Sequence, residues 1–210
     1  MKDQNLELQK LNYQLEQLVD KQGALITERT SELEEANHQL QRLANLDGLT
    51  QIANRRQFDE YLHQQWQKLA QTQKSLSLVL CDVDYFKSYN DVYGHLAGDD
   101  CLRSLAQVMR EAVTISEALV ARYGGEEFAI ILPSQEIETA VRVAVDVQFA
   151  LKKRRIDHQG SHLSYYLTVS LGISSTIPQL EKSPAQLINS ADRALYEAKK
   201  QGRDRFCAYV

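Results

Sequence analysis

Proline and cysteine are scarce in this chain of 210 residues, at three each, and tryptophan occurs once. Cys81, Cys101 and Cys207 are widely spaced and odd in number. That spacing offers neither a disulfide framework nor a zinc-ligand pair. Each lies in an apolar segment, so the three read as buried, reduced thiols of a cytoplasmic protein. No apolar run reaches the roughly 18 to 20 residues of a membrane span. The residues after Met1 are polar, unlike those of a signal peptide. A basic surplus is missing too: 24 Lys and Arg stand against 28 Asp and Glu, a formal net charge of -4. This argues against a general binder of nucleic acid or anionic membranes. It leaves room for a nucleotide as a small ligand, which a few placed cations can hold.

The shortage of helix breakers is greatest at the N-terminus. Residues 1–46 contain no proline and only one glycine, Gly23, and are rich in Leu, Gln, Glu and Asn. Leu8, Leu11, Leu15, Leu18 and Leu25 form one apolar seam, and Ile26, Leu33, Ala36, Leu40 and Leu43 form a second. The two are out of phase by four residues, a stutter in the heptad pattern, with Gly23 at the join. So narrow a stripe cannot bury itself. The spacing predicts a parallel two-stranded coiled coil, with a solitary, frayed helix as the alternative. From Asp47 onward the composition is that of a globular domain, so the chain divides into a coil at 1–46 and a domain at 47–210.

Within that domain the apolar periods alternate. A helix is predicted from Arg55 to Gln71, with Phe58, Leu62, Trp66 and Leu69 on one face. "SLSLVLCDVD" reads as a buried strand and "GHLAGDDCLRSLAQVMREAV" as a helix. "ALVARYG" and "EEFAIILP" read as strands joined at Gly124-Gly125, a hairpin signal. A helix at 135–154, the strand "YYLTVSLGISS", a helix in "SPAQLINSADRALYEAKKQG" and the strand "DRFCAYV" complete the order. Ser183 is the expected N-cap of that last helix, with Pro184 in its first turn and Gly202 at its end. The order predicts an α/β (α+β) architecture, with helices covering a central, mostly antiparallel sheet.

Polar residues gather at the ends of these strands. Asp82 and Asp84 alternate with Val83 and are expected on one face. Such carboxylates suit a metal site, although a solvated turn is the commoner use of an aspartate. If the hairpin lies beside them, Asp82 and Glu126 together offer oxygen ligands to Mg2+. Glu126 and Glu127 repel each other, and burying both needs a neutralising cation. As neighbours in a strand they point to opposite faces. Glu126 is thus expected to face Asp82 and a metal, and Glu127 the rim or a second metal. Gly94 and Gly98 would let a ligand approach the backbone. Lys87 could meet phosphate. Asn90 and Asp99 match the guanine edge, or serve as turn and cap residues. Lys199 and Arg203, four apart, are expected on one helix face, clamping phosphates or complementing the helix dipole.

Four segments, "DGLTQIANRR" at 47–56, "DVDYFKSYNDVYGHLAGDDCL" at 82–102, "RYGGEEF" at 122–128 and "YEAKKQGRDR" at 196–205, follow one another in the order seen in the GGDEF diguanylate cyclases. The chain resembles that family over residues 44–210. The resemblance implies a ferredoxin-like, palm-type domain that condenses two GTP into cyclic di-GMP with release of pyrophosphate. It also implies Mg2+ or Mn2+, two per active site, on Asp82, Glu126 and the Val83 carbonyl, with Glu127 as a further catalytic carboxylate. Asn90 and Asp99 would take guanine, with Phe86 and His95 close by. Lys87, Lys199 and Arg203 would hold phosphates, and the turn at Gly124 and Gly125 would admit the α-phosphate. Each domain would hold one GTP, so a homodimer is implied, joined by the coil and controlled by a sensor upstream. Many members carry an inhibitory Arg-x-x-Asp before the hairpin; here its ends are Ile115 and Ala118. The alternative is a catalytically weak module that binds GTP or cyclic di-GMP and signals through its coil.

Overall fold

The run Leu76–Val83 (β1) is apolar except at Ser77 and Asp82, and it forms the central strand of the computed structural model. That model describes Leu18, residues 21–23, Leu25, Ile26, residues 28–33 and residues 45–209. β1 pairs antiparallel with Glu127–Pro133 (β3) on one side and Val169–Thr176 (β4) on the other. Leu119–Gly124 (β2) lies outside β3, and Phe206–Tyr209 (β5) runs parallel to β4. The sheet order is β2-β3-β1-β4-β5, mostly antiparallel as the sequence predicts.

Alternation along β1 sends its side chains into two separate cores. Leu76, Leu78 and Leu80 pack with Phe58, Leu62 and Trp66 of Arg55–Thr72 (α1) and with Leu187, Ala191 and Leu195 of Ala185–Lys200 (α5). Val79, Cys81 and Val83 face Phe86–Tyr93 (α2), His95–Ala112 (α3) and Ile137–Arg154 (α4). Gly172 lets α5 lie directly on β4, since a Cβ there would collide with Ala191 O and Leu195 N.

The helix read from Gly94 onward is present as α3, and Gly94, at φ 82°, separates it from α2, which the sequence reading does not include. Two local expectations are corrected. α5 starts after Pro184 without a side-chain cap, so Ser183 does not act as the N-cap. Cys207 is half-buried, whereas Cys81 and Cys101 are buried. The chain divides into two units, Met1–Ala44 and Asn45–Val210. The described residues of the first are helical, and Leu18, Leu25, Ile26 and Leu33 are exposed. The remaining seam positions, from Leu8 to Leu43, lie outside the described residues. No described helix is long and apolar enough to cross a membrane.

Candidate active site

Where β1 runs out, its last side chains turn polar. Asp82 stands directly across from Glu127 in the β1–β3 register, so these two carboxylates share a sheet face. Glu126 precedes β3 and belongs to the turn. It lines a cleft of about 370 Å³ together with Phe86, Lys87, Asn90, His95, Asp99, Arg122 and Gly125. The expectation that Glu126 shares Asp82's face thus needs correcting, because Glu126 lies in the hairpin turn. The two glutamates still diverge. Glu127 lines a separate hollow with Asn189 and Asp192 of α5.

Asp82 is paired with a lysine. Lys199 Nζ donates to Asp82 Oδ2 at 2.8 Å. Burial raises the Asp82 carboxyl above its usual range, Lys199 pulls it back, and the charge of Glu126 pushes it up again. Burial likewise raises Glu127, with Asp82 adding to the rise and Lys199 opposing it. Among the described residues, no three carboxylate, imidazole or thiol groups are already gathered at metal-binding distance. The donor set nevertheless fits a hard divalent cation. It consists of carboxylate oxygens that crowd one another, and Lys199 is the basic side chain found bonded among them.

The cleft itself comes from the α2–α3 break. Asn90 on α2 leans against Gly98 on α3 so closely that a Cβ at Gly98 would collide with Asn90 Oδ1. Gly98 therefore makes room for an amide of the protein, where the sequence suggested room for a ligand. Asn90 Oδ1 is buried and makes no hydrogen bond. Phe86 stacks on Tyr89 beneath this floor, with ring centroids 6.1 Å apart.

Lys199 and Arg203 do not share a helix face. α5 ends at Lys200, and Gly202, at φ 113°, and Arg203, at φ 61°, turn the chain back, with Arg203 N donating to Ala198 O at 3.0 Å. Lys199 reaches Asp82, while Arg203 Nε comes within 4.0 Å of the buried Asp84. Asp84, expected beside Asp82, lies in the interior. Thr168 Oγ1 and Ser170 Oγ donate to it at 2.8 and 2.7 Å, and the Asp204 N–H donates at 3.1 Å.

Arg122 received no role from the sequence. Its Nε donates to Gly125 O at 2.9 Å, and its Nη1 meets both Asp47 oxygens at 3.1 and 3.3 Å. The only sequence signal was its place directly before Tyr-Gly-Gly. Asp47 is half shielded. Burial alone would raise its pKa, but hydrogen bonds from the Thr50 side chain and backbone, then from Arg122, bring it below 3.8. A lowered carboxyl adds stability that is present above the unfolded value and lost as pH falls through the folded one. Asp47→Asn should therefore flatten the acid limb of melting temperature against pH, with little change in its slope near neutrality.

A palm-type α+β domain with strand-end carboxylates beside a nucleotide-sized cleft is the class this geometry defines. Residues 44–205 match the family model described as diguanylate cyclase, GGDEF domain, and the chain belongs to that family. It is 38% identical over 162 residues to the diguanylate cyclase DgcZ of Escherichia coli, covering 77% of this chain and 52% of that protein. It is 36% identical over 132 residues to diguanylate cyclase A of Treponema denticola, covering 63% of this chain and 34% of that protein. The chain thus spans about a third to a half of the length of these curated relatives. The solved coiled coil and GGDEF domain of DgcB from Caulobacter crescentus, in complex with c-di-GMP, superposes with a TM-score of 0.80 at 30% identity. That match covers 91% of this chain and 99% of the other.

Proposed function

We propose that the domain is a diguanylate cyclase that joins two GTP molecules into cyclic di-GMP and two pyrophosphates, working as a homodimer. The observation that carries this reading is the cleft between α2, α3 and the hairpin. Asn90 and Asp99 line it beside Lys87 and His95, and Glu126 lines it from the hairpin turn. A carboxamide and a carboxylate lining one open cleft suit a ligand whose edge carries both donors and an acceptor. Guanine brings N–H donors, and Asp99 across the same cleft accepts from them.

Asp82, Glu126 and the Val83 carbonyl are the groups to hold divalent cations, Mg2+ or Mn2+, which when bound neutralise charge on the triphosphate. The chain's own residues do the rest. Lys87, Lys199 and Arg203 bind phosphate oxygens. Gly125, at φ 43°, adopts a backbone that glycine takes readily, and a Cβ there would meet nothing within 4 Å, so phosphate can come close. The 3'-hydroxyl of one GTP attacks the α-phosphorus of the other, the bond to the bridging oxygen breaks, and pyrophosphate leaves. Glu126 takes the hydroxyl proton. One domain offers one such cleft, so ring closure calls for two domains face to face. A coiled coil would supply that proximity as a high effective concentration.

Purified protein incubated with GTP and Mg2+ should yield cyclic di-GMP, read by chromatography. GTP binding without product would favour the weak signalling module instead. Ile115 and Ala118 are partly buried and pack against the α3/α4-side core, so neither can make a charged contact with a guanine or phosphate. We accordingly expect no product inhibition through this position. Titration calorimetry with cyclic di-GMP should show no sub-micromolar site that depends on residues 115–118.

A further inference from the structure

Tyr85 occupies a backbone that tyrosine seldom adopts. It lies in the left-handed region at φ 55°, ψ 31°, between Asp84 and the first turn of α2. A bulky side chain rests there only when its surroundings fix it, and such residues cluster at functional sites. Arg203 and Asp204, at φ 61° and 45°, form a second left-handed turn. The buried carboxylate of Asp84 ties the two turns together, through the Asp204 N–H at 3.1 Å and Arg203 Nε at 4.0 Å. Across this junction the Arg203 guanidinium carbon sits 4.6 Å from the centre of the Tyr85 ring, and Nη1 donates to the Tyr85 hydroxyl at 3.3 Å. The Tyr85 ring meets that of His162 edge-on, with centroids 6.2 Å apart.

We propose that Tyr85 is a positioning residue, whose ring and hydroxyl hold the Arg203 guanidinium ready for the terminal phosphates of the nucleotide. This rests on the reading of the cleft as a GTP site with Arg203 on the phosphates. Three contacts hold the guanidinium: its central carbon over the ring, Nη1 on the hydroxyl and Nε toward Asp84. Its Nη2 makes no hydrogen bond to a described residue, and the side chain is about one-third exposed, at 36%. An arginine held by an aromatic ring, a hydroxyl and a carboxylate has little rotamer freedom left to lose when an anion binds its remaining N–H groups. Glycine would take the Tyr85 backbone without strain. What tyrosine adds at this position is the platform under Arg203.

The test uses the full chain, with 3'-deoxy-GTP, which cannot condense, and GMP as probes. Tyr85→Gly relieves the left-handed backbone, so its melting temperature should equal or exceed that of the wild type. It should bind 3'-deoxy-GTP about tenfold more weakly and GMP unchanged, while Tyr85→Phe, which keeps the ring, should lose about twofold. On an Arg203→Ala background, Tyr85→Gly should cause no further loss. Unchanged 3'-deoxy-GTP binding in Tyr85→Gly, with Arg203→Ala clearly weakened, would overturn the proposal and leave the GTP reading standing. Normal binding by Arg203→Ala itself would overturn the phosphate assignment, and the role of Tyr85 with it. Should Tyr85→Gly fail to fold, Tyr85→Phe in the same cycle with Arg203→Ala decides, and additive losses there count against the proposal.

Discussion

Glu126→Gln is expected to reduce cyclic di-GMP formation by about a thousandfold, the scale of losing a general base that also faces the cation site. The turn position makes this substitution clean. Glu126 is partly exposed, and among the described residues no donor is bonded to its carboxylate, so an isosteric amide breaks no bond of the described fold. The melting temperature should stay within a degree or two of the wild type, because a surface change without partners shifts stability by less than about 0.5 kcal/mol. What changes is the chemistry in the cleft. An amide cannot accept the 3'-hydroxyl proton and is a poorer ligand for a hard cation. Glu127→Gln is the control. Its carboxylate lies across from Asp82 and faces the hollow beside Asp192, so it shapes the field around Asp82 from the side away from Asn90 and Asp99. A smaller loss is expected there. Full activity in Glu126→Gln would move both the metal and the base to Glu127.

Much of this arrangement is legible in the sequence, since each motif carries its own geometry. Strand alternation places Leu76, Leu78 and Leu80 against one helical layer and Val79 and Cys81 against the other. Gly124-Gly125 marks the hairpin. Asn90, Asp99, Lys87, His95, Phe86 and Glu126 line one cleft, as the motif order suggests. The faces are harder to read, because one residue of offset decides them. Assigning Glu126 to the strand instead of the turn reverses which glutamate lies across from Asp82. The helix from Gly94 onward is legible, but α2 is not, because its eight residues are too few to show a clear apolar period. Long-range partners leave no local trace. Arg122 with Asp47 is separated by 75 residues, and Asp84 with Asp204 by 120. No periodicity reports a contact of that span.

Asp84→Ala is the substitution expected to damage the fold most, by about 4 kcal/mol. That is the scale of removing a buried charged acceptor and leaving its donors unpaired. Asp84 has no exposed side-chain surface, and burial raises its carboxyl against the hydrogen bonds from Ser170, Thr168 and Asp204 that hold it down. Those three bonds reach two segments. Thr168 directly precedes β4 and Ser170 is its second residue, while Asp204 belongs to the turn after α5. The carboxylate therefore holds the end of β1 both to the start of β4 and to the turn that supplies Arg203. Alanine frees two hydroxyls and a backbone N–H in the interior without admitting water to satisfy them. Asparagine should cost about half as much. Its carbonyl oxygen can still accept from Ser170, and the Thr168 hydroxyl can rotate to accept from its amide. Its NH2 group, however, opposes the Asp204 N–H, which is left without an acceptor. Denaturant unfolding of both variants should therefore rank wild type above Asp84→Asn above Asp84→Ala with an unchanged slope. An alanine variant as stable as the asparagine one would mean that the three donors find other partners, and that Asp84 does not hold the junction together.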